Sequence, residues 1–141
     1  MSLQKELYVL LAEDNFAEVN LFQIALREAH LQAPLKIVNT GLEVLDFLNA
    51  RGAYSHRDPL HYPSLLILDL NLPLLDGFEV LTMLRMDERF KDLPIVIFTS
   101  SERYKDSREA KNRGATEFFQ KPIDFYDFVK SVTRMYERWV K

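Results

Sequence analysis

The longest uninterrupted apolar runs in the chain are short. Tyr8-Val9-Leu10-Leu11, Leu65-Leu66-Ile67-Leu68 and Ile95-Val96-Ile97-Phe98 are apolar at every position. A strand with one wet face would alternate, so continuous apolarity predicts strands covered on both faces, as in a parallel sheet between helix layers. Shorter candidates lie at Leu35–Val38 and Glu117–Phe119. Between the strands the period changes to that of helices. Asn15 reads as the N-cap of a helix over Phe16–His30 with Val19, Phe22 and Leu26 on one face. A second helix starts near Leu42 with Val44, Leu45 and Leu48 apolar. A third follows Gly77 with Val80, Leu81 and Leu84. A fourth runs over about Glu102–Arg113 and stops at Gly114. The last starts near Asp124 and carries Phe125, Phe128, Val129, Val132, Tyr136 and Trp139. The order is (βα)5, which predicts an α/β, flavodoxin-like, doubly wound parallel sheet with right-handed crossovers and strand order 2-1-3-4-5.

Such sheets place their chemistry outside the carboxyl ends of the strands. Strand one ends in Glu13-Asp14, strand three in Asp69, strand four in Thr99-Ser100-Ser101 and strand five in Lys121-Pro122. With strands one and three adjacent, three carboxylates meet on one rim beside a hydroxyl and a lysine. Three carboxylates in one pocket require a cation, or one of them must stay protonated. Oxygen-only ligands suit magnesium, which takes one or two carboxylates plus a phosphate. A carboxylate also attacks phosphorus to give an acyl phosphate, and the transferred oxygens then need neutralisation. The cation, Lys121 and the Thr99 hydroxyl would supply it.

Composition narrows the choice. The 141 residues suggest one domain spanning 1–141, with 48% apolar and 28% charged residues and a net charge of −3. That charge argues against nucleic acid as a partner. The lack of cysteine excludes disulfides and thiolate metal sites. No run approaches the ~20 apolar residues of a membrane span and no signal-peptide pattern is present, so a cytoplasmic protein is expected. Four glycines, at 41, 52, 77 and 114, cannot build a phosphate-cradling loop. A flavin-binding protein of this fold would need a Ser/Thr-rich loop where Glu13-Asp14 stands. His30, His56 and His61 show no metal-ligand spacing.

Four stretches together carry a family likeness: Leu11-Ala12-Glu13-Asp14-Asn15, the run from Leu68-Asp69-Leu70-Asn71 through Pro73 to Asp76-Gly77, Phe98-Thr99-Ser100-Ser101, and Gly114 through Phe118 to Lys121-Pro122. In order and with these gaps, over essentially the whole chain, the sequence resembles the receiver domains of two-component response regulators. The resemblance implies that Asp69 is the phosphoacceptor. Glu13 and Asp14 would hold Mg2+ together with Asp69 and the Asn71 backbone carbonyl. Thr99 would move to the phosphoryl group, Phe118 would be the rotating aromatic, and Lys121 would complete the phosphate pocket, held by Pro122 after a cis bond. Within the family the chain looks most like single-domain regulators associated with bacterial phytochrome histidine kinases. A histidine kinase is therefore the implied partner, with no output domain. The output would be a surface of helix four, strand five and helix five, offered to another protein or to a second copy.

Other residues leave alternatives open. Gly77 reads as turn chemistry through tolerance of positive φ, and Phe118 as rotating aromatic or plain core. The segment 50–64 is long for a connection, and is either a loose surface loop or a contact surface. Helix four offers only Tyr104 and Ala110 as apolar residues, so it is weakly anchored, and is either an element suited to shifting on phosphorylation or merely a solvated helix. The apolar stripe of helix five continues to Met135, Tyr136, Trp139 and Val140. Its far end either overhangs the sheet as an interface or packs against strand five and helix one. A competing class is a magnesium-dependent phosphohydrolase with Asp69 as nucleophile, disfavoured because Asn71 is not an acid. A phosphorylation-independent scaffold is disfavoured by the intact set of five site residues.

Overall fold

A computed structural model describes residues 3–101 and 103–141. Five parallel strands form one sheet in the order β2-β1-β3-β4-β5. They are β1 (Gln4–Ala12), β2 (Leu35–Val38), β3 (His61–Leu68), β4 (Ile95–Thr99) and β5 (Glu117–Gln120), alternating with α1 (Phe16–Glu28), α2 (Gly41–Leu48), α3 (Gly77–Arg85), α4 (Tyr104–Asn112) and α5 (Phe125–Trp139). The expected order and fold class are therefore met. No described helix is long and apolar enough to cross a membrane.

The continuous apolar runs divide by parity. Leu10, Ala12, Leu66, Leu68, Ile95 and Ile97 point into a core with α2, α3 and Ala110 of α4. Val9, Leu11, Leu65, Ile67, Val96 and Phe98 point the other way, into a core with Phe22, Ala25 and Leu26 of α1 and Phe128, Val132 and Met135 of α5. Successive side chains of a strand face opposite ways, so a strand buried on both sides has no polar position to show.

The strands outrun their apolar signal at the amino-terminal end. Gln4, Lys5 and Glu6 pair with His61, Tyr62 and Pro63 beyond a register shift between Glu6 and Val9. All of these but the buried Pro63 are exposed or half-buried, and hydrogen bonding, not burial, defines them as strand. Helix boundaries moved for local reasons. The α1 helix ends at Glu28, short of His30, whose φ of 55° leaves helical space. For α4 the described helix begins at Tyr104, and the expected start at Glu102 lies outside the described residues.

The segment 50–64 is ordered, and a loose loop is the wrong description. A 3-10 turn at Gly52–Tyr54 leads to Arg57, whose guanidinium stacks 3.9 Å from the centre of the Phe47 ring. Arg57 donates to the Tyr8 hydroxyl at 3.1 Å, to the His61 carbonyl at 3.0 Å and to the Phe47 carbonyl. Tyr54 adds an edge-on contact to Phe47 and donates its hydroxyl to Glu43.

The far end of α5 does not overhang. Met135 and Tyr136 are buried, and Trp139 and Val140 pack on the same core. The Trp139 indole donates to Glu117 at 2.8 Å, which ties the end of α5 back to β5. Exposed apolar side chains lie instead at its start, Ile123 and Tyr126. The helix is longer than the strand it covers, but it lies against α1 as well as β5, so its last turn is covered.

Two consequences are testable. The buried Tyr136 hydroxyl has no hydrogen-bond partner among the described residues, and burial pushes its pKa up. Tyr136→Phe should leave stability unchanged or raise it by about 1 kcal/mol, measured by urea unfolding, because it removes an unpaired group at nearly constant volume. Arg57→Ala should lose about 1–2 kcal/mol and speed amide exchange across 50–61 with β3 and β4 protection retained. Unchanged exchange there would show that the segment is held without Arg57.

Candidate functional site

The parallel register delivers the site. Ala12 pairs with Leu68, and the Asp69 N–H donates to the Ala12 carbonyl at 3.3 Å, so Glu13 and Asp69 leave adjacent strands side by side. Thr99, the last residue of β4, is fully buried and donates its hydroxyl to Asp69 Oδ1 at 3.0 Å. Lys121 follows β5, and its backbone N–H donates to the Thr99 carbonyl at 2.7 Å. Its ammonium then reaches Glu13 Oε1 at 2.5 Å and Asp69 Oδ2 at 2.8 Å.

Every oxygen of the two buried carboxylates has a partner. Asp69 Oδ1 also accepts the Asn71 N–H at 3.0 Å, and Glu13 Oε2 accepts the Asn15 N–H at 3.1 Å. Burial alone would raise the pKa of Asp69, but Lys121 and the Asn71 N–H more than offset it, and Asp69 is held below its usual range. Burial wins at Glu13, which is pushed up to about 7 against the pull of Lys121. Burial likewise works against the Lys121 charge, but Asp69 and Glu13 outweigh it and its pKa is raised. The two neighbouring carboxylates are thus pushed in opposite directions, Glu13 up by burial and Asp69 down by Lys121 and the Asn71 N–H.

Glu13, Asp69, Thr99 and Lys121 therefore form one hydrogen-bonded unit. Asn71 joins it only through its backbone N–H, and Asp14 is not in it. Both line a cavity of about 810 Å³ between the β3–α3 and β4–α4 connections, with Asp76, Ser100, Arg103 and Asp106. Asp14 is exposed, whereas Glu13 and Asp69 are buried. Among the described residues no three His, Asp or Glu side chains converge closely enough to enclose an ion. Glu13 and Asp69 both turn to Lys121, while Asp14 stays exposed at the cavity. The donor set of carboxylates and a nearby backbone carbonyl still has the chemistry of a hard-cation site, and a cation that binds Glu13 must compete with Lys121.

Three expectations are adjusted. The described peptide bonds are all trans, so the expected cis bond between Lys121 and Pro122 is not found. The trans preference at proline is only about 0.5–1 kcal/mol, and the Thr99 carbonyl and the two carboxylates hold Lys121 in place. Gly77 does not have positive φ. It is required by close approach, because a Cβ there would lie 2.4 Å from the Asp69 carbonyl oxygen and 2.7 Å from Leu70 Cα. Phe118 is half-buried on β5 opposite Ile97 and packs against the core on the α4 side.

Sequence reasoning missed Glu18. Its carboxylate lies 3.7 Å from the Lys121 ammonium. Its position three residues after Asn15 looks like helix capping and conceals that contact. Asn39 was missed as well; its side-chain amide donates to the Glu13 carbonyl at 3.1 Å.

A doubly wound sheet with a buried acid–lysine–threonine unit at its carboxyl edge defines the class of protein. Residues 9–133 match the response regulator receiver domain, and the chain belongs to that family. It is a phosphoacceptor protein of two-component signalling. It is 30% identical to the response regulator Rcp1 of Synechocystis sp. over 133 residues, 94% of this chain and 88% of that protein. The crystal structure of the Mn(2+)-bound form of Rcp1 superposes with a TM-score of 0.84 at 29% identity, covering 96% of each chain. The phosphorylated cyanobacterial phytochrome response regulator RcpA gives a TM-score of 0.84 at 28% identity, covering 99% of this chain and 96% of the other.

Close approach at Gly77 sets a prediction. Alanine at the first position of a helix would normally gain about 0.5–1 kcal/mol over glycine. Here the backbone of Asp69 and Leu70 cannot yield, so Gly77→Ala should instead lose about 1–3 kcal/mol in urea unfolding.

Proposed function

We propose that Asp69 is the phosphoacceptor. The observation that carries this is the state of its carboxylate: buried, kept ionised by Lys121, and oriented by the Thr99 hydroxyl and the Asn71 N–H. An Asp69 oxygen attacks the phosphorus of a phosphohistidine. The new P–O bond forms as the P–N bond breaks, and the imidazole, already protonated on its other ring nitrogen, takes the P–N electron pair and leaves neutral. The transferred oxygens then take hydrogen bonds from Thr99 and Lys121, groups already positioned for them. Glu13, Asp14, Asp69 and the Asn71 carbonyl are the residues that would hold a divalent cation, here Mg2+. A bound Mg2+ would neutralise the phosphoryl charge. The Mn(2+)-bound form of Rcp1 supports a divalent ion in this role.

The switch follows from the same contacts. Phosphorylation takes the Thr99 hydroxyl away from its present bond to Asp69 Oδ1. Phe118, half-buried on the neighbouring strand, then turns toward the space that Thr99 leaves. The nearby α4 is free to respond, because Ala110 is the one residue of its span that is buried. The surface of α4, β5 and α5 changes its partner preference as a result, with another protein or a second copy as the binding partner. We read residues 1–141 as one receiver unit serving a histidine kinase. Likeness to a phytochrome response regulator favours a photoreceptor-linked kinase.

Mass spectrometry after incubation with a small phosphodonor and Mg2+ tests the reading. One phosphoryl adduct is expected on the wild type and none on Asp69→Asn, and chelation of the metal should abolish it. A wild type without an adduct, or an adduct that survives Asp69→Asn, would reject Asp69 as the acceptor.

A further inference from the structure

Three helices of this chain start with one local pattern, a capping residue followed three positions later by glutamate: Asn15 and Glu18, Thr40 and Glu43, Asp76 and Glu79. In a capping box the glutamate reaches back to accept a backbone N–H at the helix entrance. Glu79 does so, accepting the Asp76 N–H at 3.2 Å. Glu43 does nearly the same one residue further out, accepting the Asn39 N–H at 2.8 Å. Glu18 does not. The Asn15 N–H goes to Glu13 at 3.1 Å, and the Glu18 carboxylate turns to Lys121. Because Glu13 does the local task, Glu18 is available to the site.

We propose that Glu18 is a positioning residue for Lys121, a reserve carboxylate that holds the ammonium when Glu13 is drawn to a divalent cation. This rests on the cation-assisted reading of the site given above. Lys121 has an almost fully buried side chain, and its short contacts are to Glu13 and Asp69, with Glu18 third at 3.7 Å. A cation that claims Glu13 strips this buried ammonium of one counter-charge. Phosphorylation of Asp69 then alters the second. An ammonium left short of partners in that setting is unfavourable, so the cost of cation entry falls if another carboxylate is at hand. Glu18 is on the first turn of α1, and its side chain is about one-third exposed and 3.7 Å from the ammonium. Its charge also adds to the attraction for a cation, but its distinctive effect passes through Lys121.

That dependence on Lys121 is measurable. The dissociation constant for Mg2+, or for Mn2+ as the stronger-binding probe, is read by titration calorimetry on the full chain. The variants are Glu18→Gln, Lys121→Met and the double substitution, with Lys121→Gln as the alternative should Lys121→Met fail to fold. Glu18→Gln alone should weaken binding about two- to fivefold, the range of a partly exposed ion pair, without a change in thermal unfolding of the metal-free protein. With Lys121 replaced, the effect of Glu18→Gln should fall to near one. Equal affinity of Glu18→Gln and wild type would overturn the proposal. So would the same loss in both backgrounds, which would reduce Glu18 to a general field effect. The cycle needs no phosphodonor, so its failure is distinct from a missing adduct at Asp69.

Discussion

Everything at the carboxyl edge of this sheet is arranged around one buried ammonium. Lys121 Nζ sits between Glu13 Oε1 and Asp69 Oδ2. Taking such charges out of water costs several kcal/mol each, and removing one partner leaves another uncompensated. The pair is thus poor evidence for stability and good evidence for a state held in readiness. Lys121 keeps one carboxylate ionised and oriented, and what competes for its partners changes the structure around it.

The elements nearest this edge are held by unequal means. The strands are fixed from both faces by interdigitated aliphatic side chains. In contrast, α4 has little apolar surface to bury, and its C-terminal end is fixed by arginines. Arg113 donates to Thr82 Oγ1 at 2.9 Å and to the Phe78 carbonyl at 3.3 Å, and Arg85 donates to the Gly114 carbonyl at 2.8 Å. At the other end Ser101 and Asp106 share a hydrogen bond beside the cavity that Asp14 and Asn71 line. A helix held by polar contacts at both ends and by one buried apolar residue has little packing to lose if it moves. That is the physical content of weak anchoring.

The Arg57 contact shows why part of the fold was not legible in the chain. The apolar runs announced the central strands because burial on two faces leaves a mark at every position. Nothing marks Arg57, which spans to Tyr8 across 49 positions and acts by stacking on Phe47. Charged residues in a stretch with glycine and proline look like a solvated loop, and only packing shows otherwise. Gly77 was read from its neighbour Asp76 as a turn residue. Its requirement comes from the Asp69 backbone, eight residues away, approaching where a Cβ would stand.

The sequence by itself determined the (βα)5 order, the covered strands and the set of Glu13, Asp14, Asp69, Thr99 and Lys121 at their ends, since hydrophobic period and strand-end chemistry are local properties of the chain. Tertiary structure alone decided which of these groups touch. Register placed Glu13 and Asp69 on one lysine, left Asp14 at the cavity, and turned Glu18 from a helix cap to the site. Those outcomes depend on distances between segments remote in sequence, and on the balance of burial against pairing that exists only once the segments meet.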